Sequence, residues 1–328
     1  MYQSAEFRGV KYAFISTSFL SRLLVACSLL TVVASAKAQT TPLLIQGGNV
    51  IDGTGAKRRK ADVRVASGII QEIGKLKPRP GEKVVDARGL IVAPGFIDTH
   101  SHADMGLLET PDAQSQIRQG ITTAIIGQDG GSHLPLGPYL KEVEEKHVAL
   151  NIASFVGHGT IRGAVMGDDY KRLASAAEVE KMAELVEQEM ESGALGLSSG
   201  LEYDPGLYSS TGEVIACAKV AAAHGGIYIS HVRDEENEAL PSFREVIDIA
   251  EKAQIPAQIS HIKLGSSNVW GKAREVLQLM ADANKRGLDI TADIYPYTYW
   301  RSTITVITPT RDWTDRAAWQ RGLDEIGG

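Results

Sequence analysis

Ile227-Tyr228-Ile229-Ser230-His231 and Ala257-Gln258-Ile259-Ser260-His261 are one phrase written twice. Each is a short apolar run with the length and β-branched content of a strand, and each closes on Ile-Ser-His. Between them Ser242 and Glu245 have the spacing of a capping box ahead of a helix. Strand, helix and strand in that order make the βα unit of a parallel sheet. Such strands are buried on both faces, so they read as near-continuous apolar runs.

The same alternation extends outward in both directions. Strands are expected at residues 90–99, 122–127, 150–156, 194–199, 227–230, 256–260 and 289–294. Ser175 with Glu178, and Ser210 with Glu213, repeat the capping signature. Val179, Met182, Leu185, Val186 and Met190 share one helical face behind the first of these. Gly225 and Gly287 stand where a helix end wants a left-handed residue. Seven such strands in series predict an α/β protein of the (β/α)8 TIM-type barrel class, lacking its last strand. Ahead of them, residues 43–46, 62–66, 69–73 and 83–86 are short apolar runs divided by Gly and Asp turns, with no helices between. They predict part of a small β-sandwich. The expected domains are therefore residues 39–89 for that β region and 90–328 for the barrel, incomplete at its C-terminus.

Residues 1–38 read as an export signal. Lys11 and Arg22 supply positive charge, residues 23–33 are mostly apolar, and Ala36-Lys37-Ala38 puts small residues before Gln39. That run is too short to span a bilayer, and no second apolar stretch of about 20 residues follows. The mature chain is expected to be periplasmic or extracellular, with no membrane span. A second reading takes Leu24-Val25-Ala26-Cys27 as a lipoprotein box, against which Arg22 intrudes on the apolar region. Cys27 and Cys217 are the only cysteines, so loss of the signal leaves no intrachain disulfide. Cys217 is expected in a helix core. The net charge of −6 and pI near 5.8 exclude a phosphate-backbone binder. The longest basic run, Lys57-Arg58-Arg59-Lys60, sits in a Gly-rich turn and reads as a solvated hairpin tip.

The chemistry lies at the strand ends. In Pro94-Gly95-Phe96-Ile97-Asp98-Thr99-His100-Ser101-His102, strand alternation turns His100 and His102 the same way. Two imidazoles so placed can share a divalent metal ion. His231 and His261 close two later strands at the same rim, where barrel enzymes build their sites.

These motifs resemble the amidohydrolase superfamily. With Gly120-Ile121-Thr122-Thr123, Val156-Gly157-His158-Gly159-Thr160, Ser198-Ser199-Gly200-Leu201, His231-Val232-Arg233-Asp234-Glu235 and Ser260-His261-Ile262-Lys263, they resemble its N-acyl-D-amino-acid deacylases over residues 43–310. The resemblance implies one or two Zn²⁺ ions, with His100 and His102 at the more buried position and His231 and His261 at the more exposed one. It implies Glu202 as bridging ligand, where the superfamily commonly carries a carboxylated lysine. Lys263 would pair with the substrate carboxylate, with Tyr295 or Tyr297 beside it; Arg233 is a further anion-binding candidate, and His158 reads either as a contact to substrate or metal-bound water or as a residue behind the ligands. The general base, an Asp ending the eighth strand, is expected beyond residue 328; Asp293 ends the seventh. One departure stands out. A deacylase branch has a Cys ligand after the second strand, in Gly-Asn-Cys-Gly, where this chain has Gly127-Gln128-Asp129-Gly130. Asp129 could take the place of that Cys, but between glycines it reads rather as a turn residue.

The function implied is hydrolysis of the amide of a small N-acyl-D-amino acid, releasing a carboxylic acid and a D-amino acid. The alternatives are a cyclic-amide hydrolase or unusual dipeptidase, or an inactive gene fragment without the catalytic Asp. Oligomeric state is left open.

Overall fold

A computed structural model describes residues 41–303 and 314–325, and the chain divides into two compact units between Pro94 and Gly95. The export-signal expectation, Cys27 included, lies outside the described residues. Among the described residues no helix is long and apolar enough to cross a membrane.

The first unit is one mixed sheet. β1 (Leu43–Val50), β2 (Arg59–Ala66) and β3 (Ile69–Gly74) run antiparallel, while β4 (Lys83–Asp86) and β5 (Ile91–Val92) both lie parallel to β1. Val50, Ala61 and Val63 form its small apolar core. Arg64 is buried too, and Glu72, Glu82 and the Lys77 carbonyl meet its charge. A guanidinium out of water needs such partners. Lys57 and Arg58 are exposed in the connection from β1 to β2. Among the described residues of this unit there is no second sheet to make a sandwich.

In the second unit all strand pairings are parallel. β6 (Phe96–Asp98), β7 (Ile121–Ile126) and β8 (Asn151–Ser154) form one sheet. β9 (Val156–Gly157), β10 (Gly196–Gly200), β11 (Ile227–His231), β12 (Ala257–Ile259) and β13 (Ile290–Ala292) form a second. The chain crosses from one to the other at Phe155, so the strands keep their sequence order. Among the described residues no pairing leads from β13 back to β6, and ring closure is not shown. The helices are α1 (Gln114–Ile117), α2 (Leu136–Glu145), α3 (His158–Met166), α4 (Ala176–Glu191), α5 (Thr211–Ala223), α6 (Ala239–Ala253), α7 (Ala273–Lys285) and α8 (Arg316–Glu325).

Three elements depart from the sequence reading, the first being residues 150–156, expected as one strand but broken at Phe155 into β8 and β9 in different sheets. Residues 90–99 are not one strand: β5 ends before Pro94, whose missing N–H cannot serve a ladder, and β6 begins after Gly95. Ser242 is not a cap. It lies inside α6, which starts at Ala239, and Glu245 is spent on Arg233 and Thr211. The other signals hold. Ser175 and Glu178 close a reciprocal capping box on α4, and Ser210 caps α5 by accepting from the Glu213 N–H. Gly225 and Gly287 follow α5 and α7 with φ of 71° and 92°. On α5, Val214, Cys217, Ala218 and Ala221 are fully buried, so Cys217 is a packing residue. Burial, with Glu213 nearby, pushes its thiol up to about 12.

Candidate metal centre

Each candidate ligand stands just past a strand or at its last residue. His100 and His102 follow β6, Asp129 follows β7, His231 ends β11, and His261 follows β12. The parallel sheets deliver these ends to one rim, and the imidazoles pack together. Ring centroids lie 5.7 Å apart for His100 and His102, 5.1 Å for His100 and His261, and 4.6 Å for His231 and His261.

At their centre is a carboxylate that the sequence reading took for a turn residue. Asp129 Oδ2 lies 3.2 Å from His102 Nε2, and Oδ1 lies 3.5 Å from Nε2 of both His100 and His261. His231 Nδ1 sits 2.9 Å from His261 Nε2. The correction has a backbone reason. Asp129 has φ of 53°, a left-handed conformation that aspartate tolerates, and this turns its carboxylate inward. Close packing fixes the turn: a Cβ on Gly200 would meet the Asp129 carbonyl at 2.1 Å, and one on Gly130 would meet the Gly200 nitrogen at 2.6 Å. His261 is held in a left-handed conformation too, with φ of 33°. Strain of this kind gathers at functional sites.

The electrostatics are those of a site built for a cation. Burial works to discharge His100 and His261, yet hydrogen bonds to Asp129, with Asp293 for the first and Glu235 for the second, lift both to about 9. Burial pushes the Asp129 carboxyl up, but its hydrogen bonds to His100, His102 and His261 hold it far below the ordinary carboxylate range. His231 is nearly inaccessible, and burial lowers it to about 4 despite Glu235. Asp129 Oδ1 is buried, and the two imidazole nitrogens nearest it stand at 3.5 Å, the outer limit of hydrogen bonding, so it has no close partner. An orphaned carboxylate oxygen among imidazole nitrogens fits a divalent ion, and N and O donors are a set that Zn²⁺ takes. Two groups close enough to share an ion are His100, His102 and Asp129, and Asp129, His231 and His261. A third, fully buried, is Glu202, His231 and Glu235.

A cavity of about 560 Å³ opens over the cluster. His100, His102, Asp129, His231 and His261 line it, as do Lys263, Asp293, Tyr295 and Arg301. The expected substrate residues divide. Tyr295 faces the cavity, 6.3 Å from His261 by ring centroid, with the Lys263 ammonium 5.5 Å from its own ring centre. Lys263 is already bound to Glu235, at 2.6 and 2.7 Å. Arg233 is not among the lining residues: Glu245 holds it through two nitrogens, and the Leu207 carbonyl takes a third hydrogen bond. His158 is not among them either. It opens α3, fully buried, with Nε2 at 2.9 Å from Glu213. Glu202 lies behind the cavity wall, 2.7 Å from His231 Nε2. Asp129, Glu235 and Asp293 are the functional side chains that sequence reasoning left out. Only Asp129 carried a signal, its place after the second of the expected barrel strands, where the deacylase resemblance sets a Cys ligand.

Comparison with known proteins identifies the relatives of this chain. A model of the amidohydrolase family matches residues 83–300. A D-aminoacylase of Alcaligenes xylosoxydans xylosoxydans is 36% identical over 288 residues, covering 81% of this chain and 59% of the relative. An N-acyl-D-glutamate deacylase of the same organism is 34% identical over 311 residues, covering 87% and 63%. Among solved structures, N-acyl-D-glutamate deacylase from Bordetella bronchiseptica, complexed with zinc and a phosphonate mimic of the tetrahedral intermediate, matches with a TM-score of 0.76 at 34% identity. That match covers 78% of this chain and 59% of the other. The chain spans about three-fifths of the length of the curated relatives it matches. On the family model, which takes in both the Pro-Gly-Phe-Ile-Asp-x-His-x-His strand and the two later histidines, this chain belongs to the amidohydrolase family.

Proposed function

We propose that this chain is a Zn²⁺-dependent hydrolase that cleaves the amide bond of N-acyl-D-amino acids, giving a carboxylic acid and a D-amino acid. One observation carries the reading: four histidines from separate parts of the sequence converge on a single carboxylate beside a cavity of small-molecule size. His100, His102, Asp129, His231 and His261 would hold one or two ions. A bound zinc ion supplies Lewis acidity and a water acidified toward neutral pH.

The remaining residues give the cavity its recognition chemistry. Lys263 has its charge matched by Glu235, so Arg301, which lines this cavity and the one adjoining it, is the cation offered to a substrate carboxylate. Tyr295 flanks Lys263 and presents a ring to the same space. Tyr203 sets its hydroxyl at the cavity wall, 3.2 Å from His231 Nδ1, beside the nitrogen that would face an ion.

The finer fold reading is part of the proposal. Parallel strands in sequence order, with helices between, support a (β/α)8 barrel lacking its last strand over residues 90–328, and the mixed sheet is taken as one part of a small β-sandwich over 39–89. Export to the periplasm or beyond rests on the sequence of residues 1–38 alone.

The test is hydrolysis of paired N-acetyl-D- and N-acetyl-L-amino acids by the zinc-loaded chain, read as release of free amine. Release from the D-series alone is expected. No release from either series, or release confined to the L-series, sinks the proposal.

A further inference from the structure

We infer that Asp293, Glu202 and Glu235 are positioning residues that grip the imidazoles of this centre from behind, leaving Asp129 as the carboxylate turned toward the ion; this rests on the metal-binding reading above. The argument turns on which ring nitrogen faces which way. His100 points Nε2 at Asp129 and Nδ1 at Asp293 Oδ2, 3.3 Å off. His261 points Nε2 at Asp129 and Nδ1 at Glu235 Oε1, 3.2 Å off, and the Lys263 ammonium that Glu235 holds lies 2.8 Å from the same Nδ1. His231 points Nδ1 at His261 Nε2 and Nε2 at Glu202 Oε2, with Glu235 Oε2 at 3.7 Å on the same side. Three imidazoles thus have an inner nitrogen toward the shared centre and an outer nitrogen toward a carboxylate. His102, nearly half exposed, has no such grip among the described residues.

The chemistry follows from imidazole having one N–H and one lone pair when neutral. A carboxylate that accepts the outer N–H fixes the tautomer, aims the inner lone pair and raises its basicity. The grips come from separate segments: Glu202 just past β10, Glu235 in the loop after β11, and Asp293 just past β13. Each is itself held. Glu235 also binds Lys263, while Asp293 accepts from Gln258 Nε2 at 2.6 Å and from the His261 backbone N–H. Glu202 therefore meets His231 on the nitrogen opposite the Asp129 centre. A bridging ligand would belong on the other side.

Zinc titration with metal analysis, together with the visible spectrum of the Co²⁺ form, separates these roles in four variants. Asp129→Asn retains a residue type that tolerates the left-handed backbone at this position, and circular dichroism checks that it folds. It should lose at least one equivalent of ion and change the Co²⁺ band. Glu202→Gln, Glu235→Gln and Asp293→Asn should reach the wild-type stoichiometry and Co²⁺ spectrum at saturating metal, with affinity weakened about 10–100-fold. An equivalent lost beyond rescue in any of these three makes that residue a ligand and overturns the assignment. Wild-type affinity in all three overturns it as well, as does wild-type stoichiometry in Asp129→Asn. A wild-type chain that binds no divalent ion overturns it together with the metal reading. A chain that shows the expected pattern yet cleaves no N-acyl-D-amino acid supports the positioning and overturns only the proposed function.

Discussion

At the scale of single residues, the environment of each charged group decides its role more than its place in a motif. His158 shows this. Its position at a barrel strand end suggested a substrate contact, yet it is sealed against Glu213, which also binds the buried Arg162. Arg162 further donates to the Tyr170, Arg172 and Tyr208 carbonyls, so the cluster ties α3 to α5 and the intervening loops. Burial raises the Glu213 carboxyl, but His158 and Arg162 more than offset this and hold it below its ordinary value. A depressed carboxyl pKa contributes stability that is present above the unfolded value and lost as pH falls through the folded one. Glu213→Gln leaves a guanidinium buried without its counter-charge and should cost about 3–5 kcal/mol near neutral pH. The deficit should shrink as wild type is taken into acid below about pH 4. Chemical denaturation across pH measures both, and a pH-independent deficit would count against this account. The four histidines were legible because His-x-His and strand-final His carry their direction with them. Asp129 was not, because an aspartate between glycines signals a turn whichever way its carboxylate points. Glu235 and Asp293 depend on how neighbouring strand ends line up, which no local pattern encodes.

At the scale of elements, strands and capped helices were readable because each has a local cause. β10, buried along its whole length, reads as the unbroken apolar and small run that a two-sided burial needs. Errors came where tertiary partners overrode a local signal. Ser242 and Glu245 have cap spacing, but Glu245 is more strongly engaged by Arg233, and the helix begins earlier, at Ala239. Residues 90–99 look like one strand by composition, yet Pro94 breaks the run between two compact units. The two Ser-x-x-Glu signatures should therefore respond differently. Ser175→Ala removes a working capping box from α4 and should cost about 1 kcal/mol. Ser242→Ala removes no cap, only a hydroxyl inside α6, and should cost clearly less. Urea midpoints of the two variants compare them directly, and equal losses would mean that Ser242 has a capping role the geometry does not show.

At the scale of the whole molecule, the candidate ligands do more than surround an ion: they come from both sheets of the second unit. His100, His102 and Asp129 stand at the ends of β6 and β7 in the three-stranded sheet, while His231 and His261 stand at the ends of β11 and β12 in the five-stranded one. Between those sheets the chain crosses at Phe155, and a bound ion adds a link at the rim. The carboxylates beside His100 and His261 hold both imidazoles above their ordinary range, to about 9. Zinc held by these residues would compete with protons for the imidazoles and, binding the folded arrangement, would stabilise the fold by mass action. At a free concentration about 100 times the dissociation constant the gain is roughly 2.7 kcal/mol. For a unit of this size that corresponds to a rise in melting temperature of roughly 5–10 °C. A chelator should remove the increment and the proposed amidase activity together, and zinc should restore both. Mg²⁺ should restore neither, because it prefers an octahedral oxygen shell to a nest of imidazoles. Differential scanning calorimetry on chelated and reloaded protein reads the shift, with metal analysis on the same samples. A melting temperature unmoved by either treatment, in protein that demonstrably gains and loses zinc, would mean that the ion binds the unfolded chain as well as the folded one, against a site assembled from both sheets.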